Sequence, residues 1–424
     1  MEDQRRGRRN LAQNIVITLL SLSAVMLFAK TQFTSLNLPA EETAAPAGPS
    51  FSSLVAPGLS APVRVAVTGD YGRYGGAALD TGAAEFADPL GRRLLEALGS
   101  ARDYAACAPE DFLRALEEPS LYYDFIEPLP LSVLAGLLGG GEEVSPREDL
   151  TARRLLISAQ RGGAVLYLWD GGEECLRAST AVSSESVEQV IGRYELGAAS
   201  FALDAGPESP AQALDPCSLL PERSPALPAF TMGSPLAGGT DWLLSALGFN
   251  PRSRTRHTES NGTELIMDGD RTLRIRPDDS VRYQSGNEPS LRVKAAGEQP
   301  TAREAVLGAG SLLEGLLSPV SGEARLWIQG VRRSGETTTL RFGYQAGGVP
   351  IRFQDGGCAA EVTLTGCAVT ALTLRFRQYN LSEESSLLLP LPQALAVAAE
   401  RPGRELSIGY VERDGECRAC WVSD

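Results

Sequence analysis

Apolar and polar residues follow two different periods along this chain of 424 residues. In Val63-Arg-Val-Ala-Val67 they alternate, which predicts a β-strand. Apolar runs at 155–158 and 164–169 lie on either side of Arg161-Gly-Gly163 and predict an antiparallel hairpin. Helical spacing after a starting proline predicts a helix at 109–116. An apolar run that ends at three consecutive glycines predicts another at 131–138. The first half is therefore expected to mix α and β structure.

The second half repeats one plan, in which a helix precedes several strands joined by tight turns. The predicted helices are 241–247, 301–317 and 392–399, and the predicted strands are 263–267, 272–276, 280–283, 324–332, 337–344, 349–353, 360–364, 369–376 and 405–410. This order predicts an α+β fold, in which antiparallel sheets carry helices packed on one face.

Shifts in composition divide the chain further. Stretches rich in Pro, Ala, Ser and Thr predict extended segments, whereas periodic stretches predict folded ones. The predicted parts are a basic tail (1–10), a transmembrane helix (11–29), a tether (30–61), an N-terminal α+β domain (62–206), a Pro-rich linker (207–235), a middle domain (236–297) and a C-terminal domain (298–424).

Residues 11–29 contain no charged side chain, and a helix of that length matches the bilayer core. Four arginines precede it and a single lysine follows it, which predicts a cytoplasmic N-terminus and an extracytoplasmic C-terminal bulk. A cleavable signal peptide is the alternative, but its apolar stretch would be shorter. The sequence thus favours a single-pass protein of the cell membrane.

One face of this segment carries Asn14, Thr18, Ser21 and Val25, spaced at helical intervals. Small and hydrogen-bonding residues in a stripe are typical of contacts between membrane helices, so we predict a partner-helix interface here. Backbone bonding by Ser and Thr, with Asn14 near the headgroups, would need no partner and is equally compatible with the pattern.

Candidate chemistry is sparse. The net charge of −14 disfavours nucleic acid as a partner. His257 is the only histidine and has no motif to pair with, so the sequence predicts neither a catalytic residue nor a metal site, and it contains no motif of a cofactor site. The glycine-rich stretch 69–76 lacks the lysine of a phosphate loop and is interpreted as a turn.

Seven cysteines leave at least one thiol unpaired within the chain. Cys358 and Cys367 are candidates for a bridge between neighbouring strands. Cys417 and Cys420 have the spacing of a redox pair, but no helix follows to lower a thiol pKa, so a structural or incidental pair is favoured.

Taken in order, several segments resemble the YycH/YycI regulatory proteins of Gram-positive bacteria, which carry PepSY-like or cystatin-like C-terminal modules. The segments that carry the resemblance are the N-terminal anchor, Tyr122-Tyr-Asp-Phe125 leading to Pro128-Leu-Pro-Leu131, residues 267–275, Val281-Arg-Tyr283, residues 340–344 and 348–353, Ile408-Gly-Tyr410 and the closing Trp421-Val422.

The resemblance implies a protein without catalytic residues that modulates the membrane-bound sensor histidine kinase of a cell-wall two-component system. It also implies a second YycH/YycI-like protein as a candidate partner. The rival hypothesis is an envelope binding module that restrains a protease or holds a cell-wall component, with the anchor serving only as a tether.

Overall fold

The computed structural model describes residues 59–423, apart from 142, 143, 145, 148, 253 and 254, and these belong to one compact unit. Their strands form two sheets. The first has the order β3-β7-β6-β5-β4-β1-β2-β8-β9. Its strands are β1 Pro62–Gly69, β2 Gly72–Asp80, β3 Arg102–Cys107, β4 Ser120–Pro130, β5 Thr151–Gln160, β6 Gly163–Trp169, β7 Cys175–Ser179, β8 Ala199–Phe201 and β9 Leu219–Pro221.

Four α-helices accompany this sheet, namely α1 Arg92–Ser100, α2 Pro109–Glu117, α3 Leu131–Leu137 and α4 Ser184–Ile191. Short helical turns at Ala84–Phe86 and Ala87–Gly91 lead into α1. Neighbouring residues of β4 point to opposite faces, as the period of a strand requires. Tyr123 packs beside Phe86, next to α1, whereas Tyr122 contacts Phe112 of α2. Helices therefore cover both faces of this sheet, which corrects the prediction of helices on one face.

The second sheet has the order β11-β12-β13-β14-β19-β18-β16-β17-β21-β22-β10-β20, with β15 paired to β16. Its strands are β10 Leu227–Gly233, β11 Arg256–Thr258, β12 Glu264–Asp268, β13 Arg271–Ile275, β14 Ser280–Gln284, β15 Arg325–Ser334, β16 Thr337–Ala346, β17 Val349–Arg352, β18 Ala360–Thr365, β19 Ala368–Arg375, β20 Gln378–Ser386, β21 Leu406–Arg413 and β22 Glu416–Ser423. Its helices are α5 Asp241–Ala246, α6 Ala302–Leu317 and α7 Leu391–Ala398. The named strands pair antiparallel except β17 with β21.

The domain boundaries look different in the structure. The predicted Pro-rich linker carries β9 of the first sheet and β10 of the second, so the chain passes between sheets at 222–226. The predicted middle and C-terminal domains share one sheet, because β14 pairs with β19. Residues 69–76, interpreted as a turn, contain the start of β2.

Apolar packing and tight turns join the two sheets. Gly348, at φ +80°, lies between β16 and β17, and a Cβ atom there would be 2.5 Å from the backbone of Leu79 in β2. Only glycine fits that conformation and that contact. Nearby, Gln345 of β16 donates to Ser60 Oγ and to Asp80 Oδ2, each at 2.8 Å. The two sheets thus meet backbone to backbone.

Candidate functional site, an arginine-lined groove

A groove of about 1000 Å³ lies between the two sheets. Its floor comes from β15, β16 and β17, and its opposite wall from β4, β5 and the turn after β6. The lining includes seven charged residues, namely Arg153, Arg332, Arg341, Arg352, Glu127, Asp170 and Glu361. In a protein of net charge −14, a concave surface with four arginines differs from the average surface. We define these lining residues as the arginine-lined groove.

Strand register places two of the arginines side by side on the floor. Arg341 of β16 lies opposite Gly330 of β15, and Arg332 lies opposite Thr339. Arg332 and Arg341 are therefore diagonal neighbours, with backbones roughly 7–8 Å apart. Both are exposed, and neither forms an ion pair with any residue that the structure describes. The Arg341 guanidinium contacts the sulfur of Cys358 and no carboxylate, so both arginines can pair with an anionic ligand.

Trp327 stiffens the floor. Its indole Nε1 donates to the carbonyl of Tyr344 at 3.1 Å, and its side chain is 1% exposed. A Cβ atom on Gly343 would be 2.7 Å from that nitrogen, so glycine is required where the indole crosses β16. The floor is thus set by packing before any ligand arrives.

The wall contains an irregular stretch of β4. Between Asp124 and Leu129 the pairing with β5 shifts register, so residues between them bulge out of the ladder. Within this bulge Ile126 has φ +73°, which is costly for a β-branched residue. Asp124 Oδ1 accepts the Ile126 N–H at 2.8 Å and holds the bulge in place.

Behind the wall lies a buried ionic cluster, which we define as Arg64, Asp124, Arg153, Arg154 and Glu405. Arg64 contacts Asp124 at 3.0 Å, and Arg153 contacts it at 2.9 Å. Glu405, immediately before β21, forms ion pairs with all three arginines. Since Asp124 belongs to the first sheet and Glu405 leads into the second, the cluster bonds the two sheets together, and Arg153 links it to the groove.

The arginines of the cluster keep the carboxyl group of Asp124 ionised. Burial would raise the pKa of the Asp124 carboxyl, but Arg64, Arg153 and Arg154 outweigh burial and hold that pKa well below its usual range. Burial also raises the pKa of the nearby Cys217 thiol to about 12, against the opposing effect of Arg154. Cys217 is therefore a neutral core thiol and not a nucleophile.

The predicted cysteine pairs do not form. Cys417 and Cys420 are three positions apart in β22, which places them on opposite faces, roughly 10 Å apart. Cys358 and Cys367 lie at opposite ends of β18. Both separations exceed the reach of a disulfide, which corrects the expectation that these cysteines pair. A disulfide instead joins Cys107 to Cys175, which face each other on β3 and β7.

Other candidate chemistry stays dispersed. His257 lies exposed on β11, opposite Leu265. Among the described residues, no group of three or more His, Cys, Asp or Glu side chains is arranged to hold a metal ion. The charged side chains of the arginine-lined groove, by contrast, lie close together and could bind a ligand.

The predicted membrane segment and its stripe (Asn14, Thr18, Ser21 and Val25) lie outside the described residues. Within the part of the chain that the structure describes, no helix has the length and apolar character needed to cross a bilayer.

Sequence reasoning did not find the groove. Alternation along β16, with Arg341 between the apolar Leu340 and Phe342, indicates one polar face. It does not indicate that this face meets a wall built by β4, some two hundred residues earlier. The Tyr-Tyr-Asp-Phe segment contains Asp124, but its sequence alone does not reveal the two arginine partners, Arg64 and Arg153.

No family model matches the sequence, and no curated protein matches it. The fold is similar to the crystal structure of YycH from Bacillus subtilis, with a TM-score of 0.53 and 11% sequence identity. The match covers 91% of this chain and 96% of that chain. At this identity the likeness is one of architecture, and it confirms the resemblance predicted from the sequence: the chain has a YycH-like fold.

Proposed function

We propose that this protein is a membrane-anchored extracytoplasmic regulator that binds and modulates the sensor histidine kinase of a cell-wall two-component system. The observation that carries the proposal is the YycH-like fold along nearly the whole length of both chains. The segments that resemble this family, from the predicted anchor to Trp421-Val422, support the same assignment.

The proposed mechanism is a shift between signalling states of the kinase. A regulator that binds one state better than the other changes their populations by that difference in affinity, without any chemical step. Contacts come from the anchor helix, through Asn14, Thr18, Ser21 and Val25, and from the extracytoplasmic unit. A second YycH/YycI-like protein is the proposed companion in the complex.

The experiment is membrane crosslinking in the native host, followed by affinity purification and mass spectrometry. The test variant replaces Asn14, Thr18 and Ser21 by leucine, which removes hydrogen bonding from the stripe and keeps the helix apolar. The matched control replaces Gln13 and Ser23 by leucine. These residues are polar but lie on other faces of the predicted helix. We expect kinase enrichment with the native chain and the control, and its loss with the stripe variant.

Two results would count against this proposal. If the stripe variant retains the kinase and leaves kinase output unchanged, the helix interface is wrong. If no sensor kinase is enriched with the native chain, the regulatory assignment itself fails.

The second candidate function is an envelope binding module with the helix as a tether only. The arginine-lined groove favours it, because a preformed concave surface with available guanidinium groups is suited to hold a ligand. Replacement of the whole anchor by an unrelated apolar helix separates the two: a tether tolerates the exchange, whereas a regulator that works through its helix does not.

A further inference from the structure

The groove is large for a small-molecule site. Its volume of about 1000 Å³ equals the upper end of the range for pockets that enclose drug-sized ligands. Three consecutive residues of the β4 bulge, Ile126, Glu127 and Pro128, line one side, and β15 contributes consecutive residues on the other. An elongated ligand running along these segments suits this shape better than a compact one.

We propose that the arginine-lined groove binds an extended peptide segment carrying at least two acidic side chains. Arg332 and Arg341 supply the recognition, because a guanidinium group pairs with a carboxylate through two parallel hydrogen bonds. Their diagonal placement on β15 and β16 sets a spacing of roughly 7–8 Å. In an extended peptide, side chains at i and i+2 point the same way, roughly 7 Å apart. Two acids separated by one residue match the two arginines.

Arg341 remains available although a carboxylate lies close by. Glu361 of β18 lies directly opposite it in the ladder, yet the two side chains form no ion pair among the described residues. The charge of Arg341 is therefore not neutralised by Glu361. For the Arg341 guanidinium, an incoming carboxylate competes with the sulfur of Cys358, which is a weak acceptor, and not with a carboxylate that the structure describes.

The acids of the groove distinguish a peptide from a polymer of phosphates. Glu127, Asp170 and Glu361 lie among the arginines, and each would repel a ligand that is negative along its whole length. A peptide avoids this repulsion because its backbone N–H groups donate to carboxylates while its acidic side chains pair with the arginines. The mixed lining therefore favours a ligand of alternating chemistry.

The backbone strain at Ile126 is consistent with a binding wall. A β-branched residue with φ +73° persists only where its surroundings determine it. Here the determinant is Asp124, which accepts the Ile126 N–H while it is itself held by Arg64 and Arg153. The wall is thus fixed in shape, which lowers the entropy cost of binding.

The test uses the full chain in detergent micelles and a fluorescein-labelled octapeptide of alternating Glu and Ser, followed by fluorescence anisotropy. We expect saturable binding that weakens about tenfold or more when Gln replaces Glu in the peptide, because the charge-assisted bonds are lost. The double variant R332Q/R341Q is expected to lose binding to the same degree, and each single variant to lose part of it.

The matched control is R102Q/R177Q. These two arginines are also exposed and lie on adjacent strands, β3 and β7, away from the groove. We expect the control to bind the Glu peptide like the native chain. Equal binding of the Glu and Gln peptides would show that carboxylates are not recognised. Equal loss in the control would show that general charge attraction is measured. Either result overturns the proposal.

Two further outcomes overturn the proposal. Inorganic polyphosphate that binds more tightly than the Glu peptide, with the same dependence on Arg332 and Arg341, would make the groove a polyanion site. We expect the Glu peptide to bind with a dissociation constant below about 1 mM. If it shows no saturable binding up to that concentration, the groove is not a peptide site. Because no kinase is present, failure here is distinct from failure of the proposed function.

Discussion

At the scale of single residues, Glu405 is a buried acid on which the stability of the fold is expected to depend. It is 5% exposed and forms ion pairs with Arg64, Arg153 and Arg154. Replacing it by glutamine leaves two buried arginines, Arg64 and Arg154, and the partly buried Arg153 with too little negative charge. We expect E405Q to lower the free energy of unfolding by about 3 kcal/mol or more, because removal of one partner leaves uncompensated buried charge. Urea denaturation measures this difference.

The control for this substitution is E384Q. Glu384 also pairs with an arginine, Arg418, but its side chain is 65% exposed. Solvent screens such a pair, so little change is expected. Equal effects of the two substitutions would show that the buried cluster has no special role in stability.

The ionisation of Asp124 predicts how the free energy of unfolding depends on pH. Its pKa is lowered in the folded protein because the three arginines outweigh the effect of burial. A lowered pKa means that the folded state binds this proton less readily than the unfolded state does, so the stabilisation is complete above the unfolded pKa, near 4. It is lost as the pH falls from there toward the folded pKa. Unfolding free energy measured between about pH 6 and pH 3 should fall less steeply in D124N than in the native chain.

The interpretation of that result depends on the comparison of slopes. D124N itself is expected to be less stable at neutral pH, since a neutral amide pairs poorly with Arg64 and Arg153. If the native chain and D124N lose stability in parallel below pH 4, the carboxyl of Asp124 does not contribute to the acid limb.

At the scale of helices and strands, the sequence predicts most elements where local pattern decides them. The helices at 109–116 and 301–317 are observed as Pro109–Glu117 and Ala302–Leu317, the second with the capping box of Thr301 and Glu304. The local pattern does not predict β2, because its sequence contains several glycines and glycine is depleted in strands. Gly75 is needed there, since a Cβ atom would lie 2.6 Å from the Cβ of Ala199 in β8. That reason is tertiary and cannot be read from the local sequence.

β10 was missed for a related reason. It lies in a proline-rich stretch, and proline removes a donor from a central strand. The structure places Pro228 beside a register shift in the pairing with β20, where the missing donor is tolerated. Pairing with distant partners, β20 and β22, overrides the local composition.

The disulfide between β3 and β7 gives a prediction for an element at a sheet edge. Cys107 and Cys175 are 68 residues apart, so the bridge restricts the unfolded chain over a long loop. We expect C107S/C175S to lower the free energy of unfolding by about 2–4 kcal/mol. Hydrogen exchange should show the loss first in β3, the terminal strand of its sheet.

A pair of half-buried free thiols provides the comparison. C358S/C420S removes two sulfur atoms without removing a crosslink, and a smaller effect is expected. If both double variants behave alike, the loss reflects side-chain packing and not the bridge.

At the scale of the whole molecule, composition indicated three folded domains, whereas the described residues form one compact unit with two sheets. Local sequence could not reveal this, because the joining contacts connect residues far apart, such as Arg64 with Glu405 and Gly348 with Leu79. The YycH-like architecture was predictable from the order of segments, and the groove between the sheets was not.

This integration predicts cooperative unfolding. Hydrogen exchange by mass spectrometry in increasing urea should give one midpoint for peptides from β5 and β6 of the first sheet and from β18 and β19 of the second, since both share buried contacts. Two separate midpoints would mean that the sheets unfold as independent domains. E405Q is expected to separate the midpoints if any single change does, because Glu405 bonds across the two sheets.

The point where the chain enters the described fold has a mechanical consequence. Ser60 forms hydrogen bonds with Asp80 of β2 and with Gln345 of β16, and its backbone bridges to Trp327 of β15. A pull on the polypeptide N-terminal to Leu59 would therefore reach three strands of both sheets together. Tension of that kind is shared by the hydrogen bonds of Ser60 and by its bridge to Trp327, a residue that lines the groove.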